Sequence, residues 1–125
     1  MAGLIDTMNQ LIDASKRRDK ADFLKHLAPD IEYHYHAGSR PLMGREWVEK
    51  FLDRYWATTS PDDSIWRIDR YAQNGNILLV EGYEEFLDIT NNQRVCHPYM
   101  ATYEFRDGLI VKWRDYFEMK ATNRG

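Results

Sequence analysis

Residues 102–119 read TYEFRDGLIVKWRDYFEM, two runs rich in aromatic and aliphatic side chains on either side of Arg106-Asp107-Gly108. Asp-Gly between such runs is a strong hairpin signal, because a tight two-residue turn that matches strand twist needs positive φ at both central positions. The spacing predicts strands over 95–105 and 109–119. Upstream, Asn74-Gly75-Asn76 separates a strand over 65–71 from a long one over 77–88, and residues 90–93 turn the chain again. Four consecutive strands joined by short turns predict an antiparallel meander.

The first half of the chain has a different period. Leu4, Ile5, Met8, Leu11 and Ile12 recur at helical spacing, and the pattern stops at Lys16-Arg17-Arg18, whose charges suit the negative end of a helix dipole. Phe23, Leu24 and Leu27 predict a second helix over 21–27, ending before Pro29 because the residue ahead of a proline avoids helical geometry. A strand over 31–36 follows, then a loop containing Gly38, Pro41 and Gly44. Trp47, Val48, Phe51, Leu52 and Tyr55 mark a third helix. Helices gathered on one face of a curved antiparallel sheet make an α+β domain, with residues 1–125 expected to form one domain. A sheet that wraps its helices encloses a conical pocket.

Composition narrows the function classes. Four Trp and eight Tyr are enough to line an aromatic interior. Seventeen basic residues against twenty acidic ones, with no basic block, argue against nucleic acid as a partner. The single cysteine, Cys96, allows no intramolecular disulfide and fits a reducing compartment; it alternates away from the expected pocket face and reads as a packed thiol. No stretch approaches a membrane span, and Asp6 and Asp13 interrupt the N-terminal apolar pattern, so no signal peptide, no membrane and a cytoplasmic location are expected.

Within 109–119, period-two alternation puts Leu109, Val111, Trp113, Asp115, Phe117 and Met119 on one face and Ile110, Lys112, Arg114, Tyr116 and Glu118 on the other. Asp115 thus stands among the most apolar side chains of the segment. A carboxylate removed from water there must be paired, hydrogen-bonded or protonated, which makes it a candidate acid/base group at neutral pH.

In element order and length, and in the Trp113–Phe117 motif WRDYF, the chain resembles the NTF2-like cone-shaped α+β superfamily. Its similarity is to the SnoaL-like and limonene-epoxide-hydrolase branch, in which the aspartate of that motif points into the pocket. The resemblance implies a polyketide-cyclase-like or hydrolase-like pocket, a homodimer, and no cofactor or metal. A gapless count from Trp113 puts Glu84 where epoxide hydrolases of this type carry their first aspartate. It puts Tyr33 at the water-positioning tyrosine, Tyr35 at an asparagine, and Gly82 at the triad arginine, so the likeness does not extend to the full triad.

The same count brings His97, Tyr99 and Phe86 to the pocket beside Trp113 and Phe117, with Trp47 as core or wall, and turns His34 and His36 away. The candidate catalytic set is Asp115, His97 and Glu84; the candidate substrate-binding set is Tyr33, Tyr35, Tyr99, Phe86, Trp113 and Phe117. Asp115 would act as base, and His97 could supply the positive charge of the absent arginine. A tyrosine hydroxyl would meet a developing oxyanion, by analogy with ketosteroid isomerase. A bulge at Gly82 would exchange the facing of Glu84 and Glu85. The plain alternatives are a structural carboxylate at Asp115, a packed histidine at His97 and tyrosines that only form walls. Three function classes follow: an acid/base enzyme (isomerase, cyclase or hydrolase) acting on a small hydrophobic molecule, a non-catalytic module that binds such a ligand or dimerises, and a purely structural or protein-interaction domain. The outward face of the sheet, with Ile110, Tyr116, Met100 and Thr102, is the surface expected to meet a second copy.

Overall fold

A computed structural model describes residues 3–118 and the short strand at 121–122. Helix α1 (Leu4–Arg17) begins where the Gly3 N–H donates to the Asp6 carboxylate at 2.9 Å, and it buries Met8, Leu11, Ile12 and Ala14. It stops at Arg18, held in the left-handed region at φ 54°. The Arg18 guanidinium donates to the carbonyls of Trp56 at 2.7 Å and Thr59 at 2.9 Å, while Arg17 pairs with Asp13, Asp19 and Asp22. The basic cluster is thus used to bind the ends of the helices together.

Helix α2 (Lys20–Leu24) is capped by Asp19, whose carboxylate accepts the Asp22 N–H at 3.0 Å. It is shorter than its apolar spacing predicts, because the backbone at His26 and Leu27 is claimed by the sheet. The Ile110 N–H donates to the His26 carbonyl at 2.9 Å, and Leu27 opens strand β1 (Leu27–His34). Pro29 falls in a stretch where the β1 register slips, so its missing N–H breaks no ladder bond. Strand β2 (Leu42–Met43) pairs with β1, and helix α3 (Arg45–Thr58) buries Val48 and Leu52. Trp47, expected in the core or wall, is instead 49% exposed, with Lys50 Nζ 4.2 Å from its ring centroid.

Strands β3 (Ile65–Asn74), β4 (Ile77–Asp88), β5 (Gln93–Arg106) and β6 (Leu109–Tyr116) form the antiparallel meander that the turn signals predict. The order across the sheet is β2-β1-β6-β5-β4-β3, with β1 parallel to β6, so the sheet is mixed and open. Strand β7 (Ala121–Thr122) adds to β5. Asp107 and Gly108 both have positive φ, 53° and 80°, as the Asp-Gly turn requires. β6 ends at Tyr116, short of the predicted limit, and Met119 lies outside the described residues.

Two register slips decide which side chains face inward. One lies between Glu104 and Phe105, which oppose Lys112 and Ile110, leaving Val111 as the extra residue of a bulge. Ile110 is therefore fully buried in the core and not part of the outer face, as strict alternation implies. The other slip lies in β3, between Ile68 and Arg70 opposite Gly82 and Glu81, whereas β4 runs past Gly82 against β5 without a break. Glu84 consequently faces inward and Glu85 outward. The inner sheet face packs Tyr103, Leu27, Ile31, Leu78, Val80 and Ile110 against Met8 and Leu11 of α1 and Val48 of α3. Truncating one of the buried aliphatic residues to alanine costs about 2–5 kcal/mol.

Candidate active site

Beside this core the sheet and helices leave a cavity of about 440 Å³. All nine predicted site residues line it: Tyr33 and Tyr35 from β1 and the bend after it, Glu84 and Phe86 from β4, His97 and Tyr99 from β5, and Trp113, Asp115 and Phe117 from β6 and its end. Long strands whose inward positions alternate deliver these side chains from segments far apart in sequence.

The Asp115 carboxylate is held from both sides. The Trp113 indole N–H donates to Oδ1 at 2.7 Å and the Tyr33 hydroxyl donates to Oδ2 at 2.9 Å. Tyr33 and Trp113 pack with ring centroids 4.5 Å apart, so both donors are themselves locked. Burial raises the Asp115 carboxyl from 3.8 to about 7, the two hydrogen bonds pulling the other way. Each carboxylate oxygen keeps a lone pair for a ligand proton.

Glu84 opposes His97 across the β4–β5 ladder. Its carboxyl receives no hydrogen bond from any described residue, and His97 Nε2 stands 3.9 Å away, too far for a direct bond. Burial, and after it the charge on Asp115, raises Glu84 from 4.5 to about 8. The 29% of its side chain that remains accessible is explained by the cavity it lines. Both carboxyls are thus raised towards neutral pH, Glu84 in part by the charge on Asp115, and the two titrate as a coupled pair.

His97 does not supply the cation that the sequence suggests. It is 4% exposed and lies flat on Phe117, with ring centroids 4.5 Å apart at 6°, and burial lowers its pKa below the ordinary value. A hydrogen bond from Nδ1 to the Pro98 carbonyl at 3.3 Å places a proton on Nδ1.

The tyrosine hydroxyls divide into spent and open ones. Tyr33 is committed to Asp115. Tyr99 accepts from the Trp66 indole N–H at 2.9 Å and donates to the Arg67 carbonyl at 3.2 Å, so it is no oxyanion donor. Its ring also accounts for Gly82. A Cβ at Gly82 would come within 2.0 Å of the Arg67 carbonyl oxygen and 2.8 Å of the Tyr99 ring, so the space an arginine side chain would enter is already filled. Tyr35 and Tyr55 also line the cavity, with no hydroxyl hydrogen bond among the described residues.

Several lining residues escape the sequence reading. Tyr55 and Phe51 carry a signal, the apolar face of α3, but that face reads as core. Trp66, stacked on Trp113 at 6.0 Å, is legible only once β3 is registered against Glu84. His36 enters the cavity and meets Phe117 edge-on at 5.3 Å, contrary to the alternation that turns it away, because β1 ends at His34 and the chain bends. His34 does face out, beside Glu32 at 3.1 Å. Cys96 stays off the cavity, opposite Glu85 on the outer face. Among the described residues no three His, Cys, Asp or Glu side chains gather as a metal-ligand set, and no helix is long and apolar enough to cross a membrane.

Comparison with known proteins fits this geometry. The model of the SnoaL-like domain matches residues 8–113. No curated protein matches in sequence. Among solved structures, an epoxide hydrolase from M. tuberculosis of the limonene-epoxide-hydrolase-like type has a TM-score of 0.79 at 23% identity, covering 92% of this chain and 82% of that one. An NTF2-like protein of unknown function from Burkholderia pseudomallei has a TM-score of 0.81 at 20% identity, covering 94% and 92%. A provisionally assigned polyketide cyclase from Pseudomonas putida has a TM-score of 0.79 at 18% identity, covering 94% and 93%. At such identities the likeness is one of fold. With that fold, and with a family model spanning most of its length, the chain belongs to the SnoaL-like domain family within the NTF2-like fold.

Proposed function

We propose that the protein is a cofactor-independent enzyme that transfers a proton on a small, largely apolar substrate, with Asp115 as the base. The observation that carries this reading is a carboxylate fixed by two donors at the wall of an aromatic cavity, with its pKa moved to about 7. Asp115 takes a proton from carbon beside a carbonyl, and the C–H electron pair moves to the carbonyl oxygen. The Glu84 carboxyl, still protonated below about pH 8, meets that oxygen as hydrogen-bond donor. Return of the proton to another carbon gives an isomer; attack of the enolate on a second carbonyl closes a ring. Epoxide opening is disfavoured, because the Gly82 position has no room for the cation of that chemistry.

The test is turnover of enolisable ketones, aldol acceptors and epoxides by wild type, Asp115→Asn and Glu84→Gln. Asp115→Asn is expected to lose at least about 100-fold in kcat/KM on the accepted class. Equal rates in wild type and variant would remove Asp115 from the mechanism; binding without turnover by wild type would favour a non-catalytic pocket.

A homodimer is also proposed. Leu79, Met100 and Tyr116 stand exposed on the outer sheet face, with Met100 directly across from Tyr116. Light scattering at micromolar concentration should give twice the monomer mass, and Met100→Lys should halve it. A monomeric wild type refutes this.

A further inference from the structure

The cavity holds two acidic side chains, with His97 Nε2 3.9 Å from Glu84. Among the described residues no lysine or arginine lies within ion-pair distance of Asp115 or Glu84, and burial lowers the pKa of the nearby His97. The two cations that line the same space come from the end of α1. Lys16 is exposed, and Arg18 is engaged by the carbonyls of Trp56 and Thr59. Asp115 is satisfied by two donors, but Glu84 points into the cavity with no hydrogen bond from a described residue. With 29% of its side chain open to that cavity, Glu84 keeps its hydrogen-bonding capacity for whatever enters.

The surrounding walls favour one kind of partner. Tyr55 and Phe86 meet edge to face at 5.3 Å, and Trp66 stacks on Trp113, so the carboxyl pair is bordered by aromatic rings. A ring face attracts a cation, and a desolvated cation gains more from it than an exposed one. A neutral hydroxyl ligand could bond to Glu84 but would leave the charge on Asp115 uncompensated. A protonated or quaternary nitrogen answers both the carboxyl pair and the rings.

We infer that the cavity's ligand is an apolar molecule carrying a cationic nitrogen, which sits against Glu84 and the aromatic wall with Asp115 nearby. This goes beyond the proposed function by naming a further ligand class for the same cavity; it is measured by binding alone and does not depend on Asp115 turning anything over. In such a complex Glu84 is ionised and pairs with the nitrogen, so for this ligand class it is not the oxyanion donor proposed for neutral carbonyl substrates.

The experiment compares phenyltrimethylammonium with its neutral isostere tert-butylbenzene by tryptophan fluorescence titration, supported by calorimetry. Each is titrated into wild type, Glu84→Gln and Asp115→Asn. The affinity ratio of cation to neutral probe corrects for any change in cavity shape. It is expected to fall about tenfold or more in Glu84→Gln and by a comparable factor in Asp115→Asn, with tert-butylbenzene binding preserved as the sign of an intact pocket. A ratio unchanged by Glu84→Gln, or binding of the neutral probe but not the cation by wild type, overturns the inference. Failure here leaves Asp115-dependent turnover of neutral substrates untouched, and loss of that turnover claim leaves the charge preference intact.

Discussion

Replacing Glu84 with glutamine should make the protein more stable in alkali, and the size of the effect follows from the site. In the unfolded chain the carboxyl ionises near its ordinary 4.5, but in the fold burial and the Asp115 charge hold its proton to about 8. Between those values the native state binds the extra proton, so stability falls as pH rises, and the full penalty is present above pH 8. At about 1.4 kcal/mol per tenfold, the rise from 4.5 to about 8 sets a ceiling of about 5 kcal/mol. Part of that rise is mutual repulsion with Asp115, and 29% of the side chain meets the cavity, so about 2–3 kcal/mol is expected. Glutamine is nearly isosteric, and no hydrogen bond to Glu84 from a described residue is lost. Urea denaturation of both proteins at pH 4.5 and pH 9 is the assay. The two should be nearly equal in acid, and Glu84→Gln should lead by about 2–3 kcal/mol in alkali. A variant that is equal or weaker at pH 9 would show that Glu84 is not held protonated, and the assignment of proton donor would fall with it.

Three further outcomes follow from the same contacts. Tyr33→Phe removes a donor that lowers the Asp115 pKa, so the carboxyl should titrate above about 7, read from its carbon chemical shift against pH; a fall would contradict the hydrogen bond. Gly82→Ala drives a methyl onto the Arg67 carbonyl, a backbone atom that cannot swing aside, and should cost about 3 kcal/mol or more in urea; a loss under about 1 kcal/mol would deny the close approach. Trp66→Phe breaks the indole bond to Tyr99 and weakens the stack on Trp113, so about 1–2 kcal/mol of stability should go, with a changed near-ultraviolet spectrum as the sign of a loosened wall.

The penalties at Glu84 and Asp115 bear on why such groups are kept. Burying a carboxyl costs stability that an apolar residue of similar size would not. The site concentrates both raised carboxyls, an open pair of tyrosine hydroxyls and a neutral histidine in one cavity. Stability spent in one place on groups with shifted pKa values is what the proposed acid/base role of this pocket requires.

Much of this was legible in the chain. Asp-Gly and Asn-Gly set the meander through the backbone angles that only some residues tolerate, and period-two alternation put Asp115 among apolar side chains; the family resemblance brought Glu84 and His97 to the same pocket, where the antiparallel ladder sets them opposite each other. Where alternation failed, a bulge or a strand end was the cause. Val111 is inserted opposite the Glu104–Phe105 step, which sends Ile110 into the core, and the bend after His34 carries His36 into the cavity. Neither has a residue signature, since both depend on what the partner strand demands.

The sequence by itself determined the element order, the apolar setting of Asp115 and the chemical types available to the pocket, because these follow from local turn geometry and side-chain periodicity. Only the tertiary structure decided what those groups can do. Whether a tyrosine is free or spent, whether His97 is a cation or a neutral acceptor, and whether position 82 has room for an arginine all depend on contacts between segments far apart in the chain. The Tyr99 ring over Gly82, the Trp66 indole on its hydroxyl and the two donors on Asp115 exist only once four strands are in register. Protonation follows the same rule, since a carboxyl's pKa is set by the water and charge around it, and the fold arranges both.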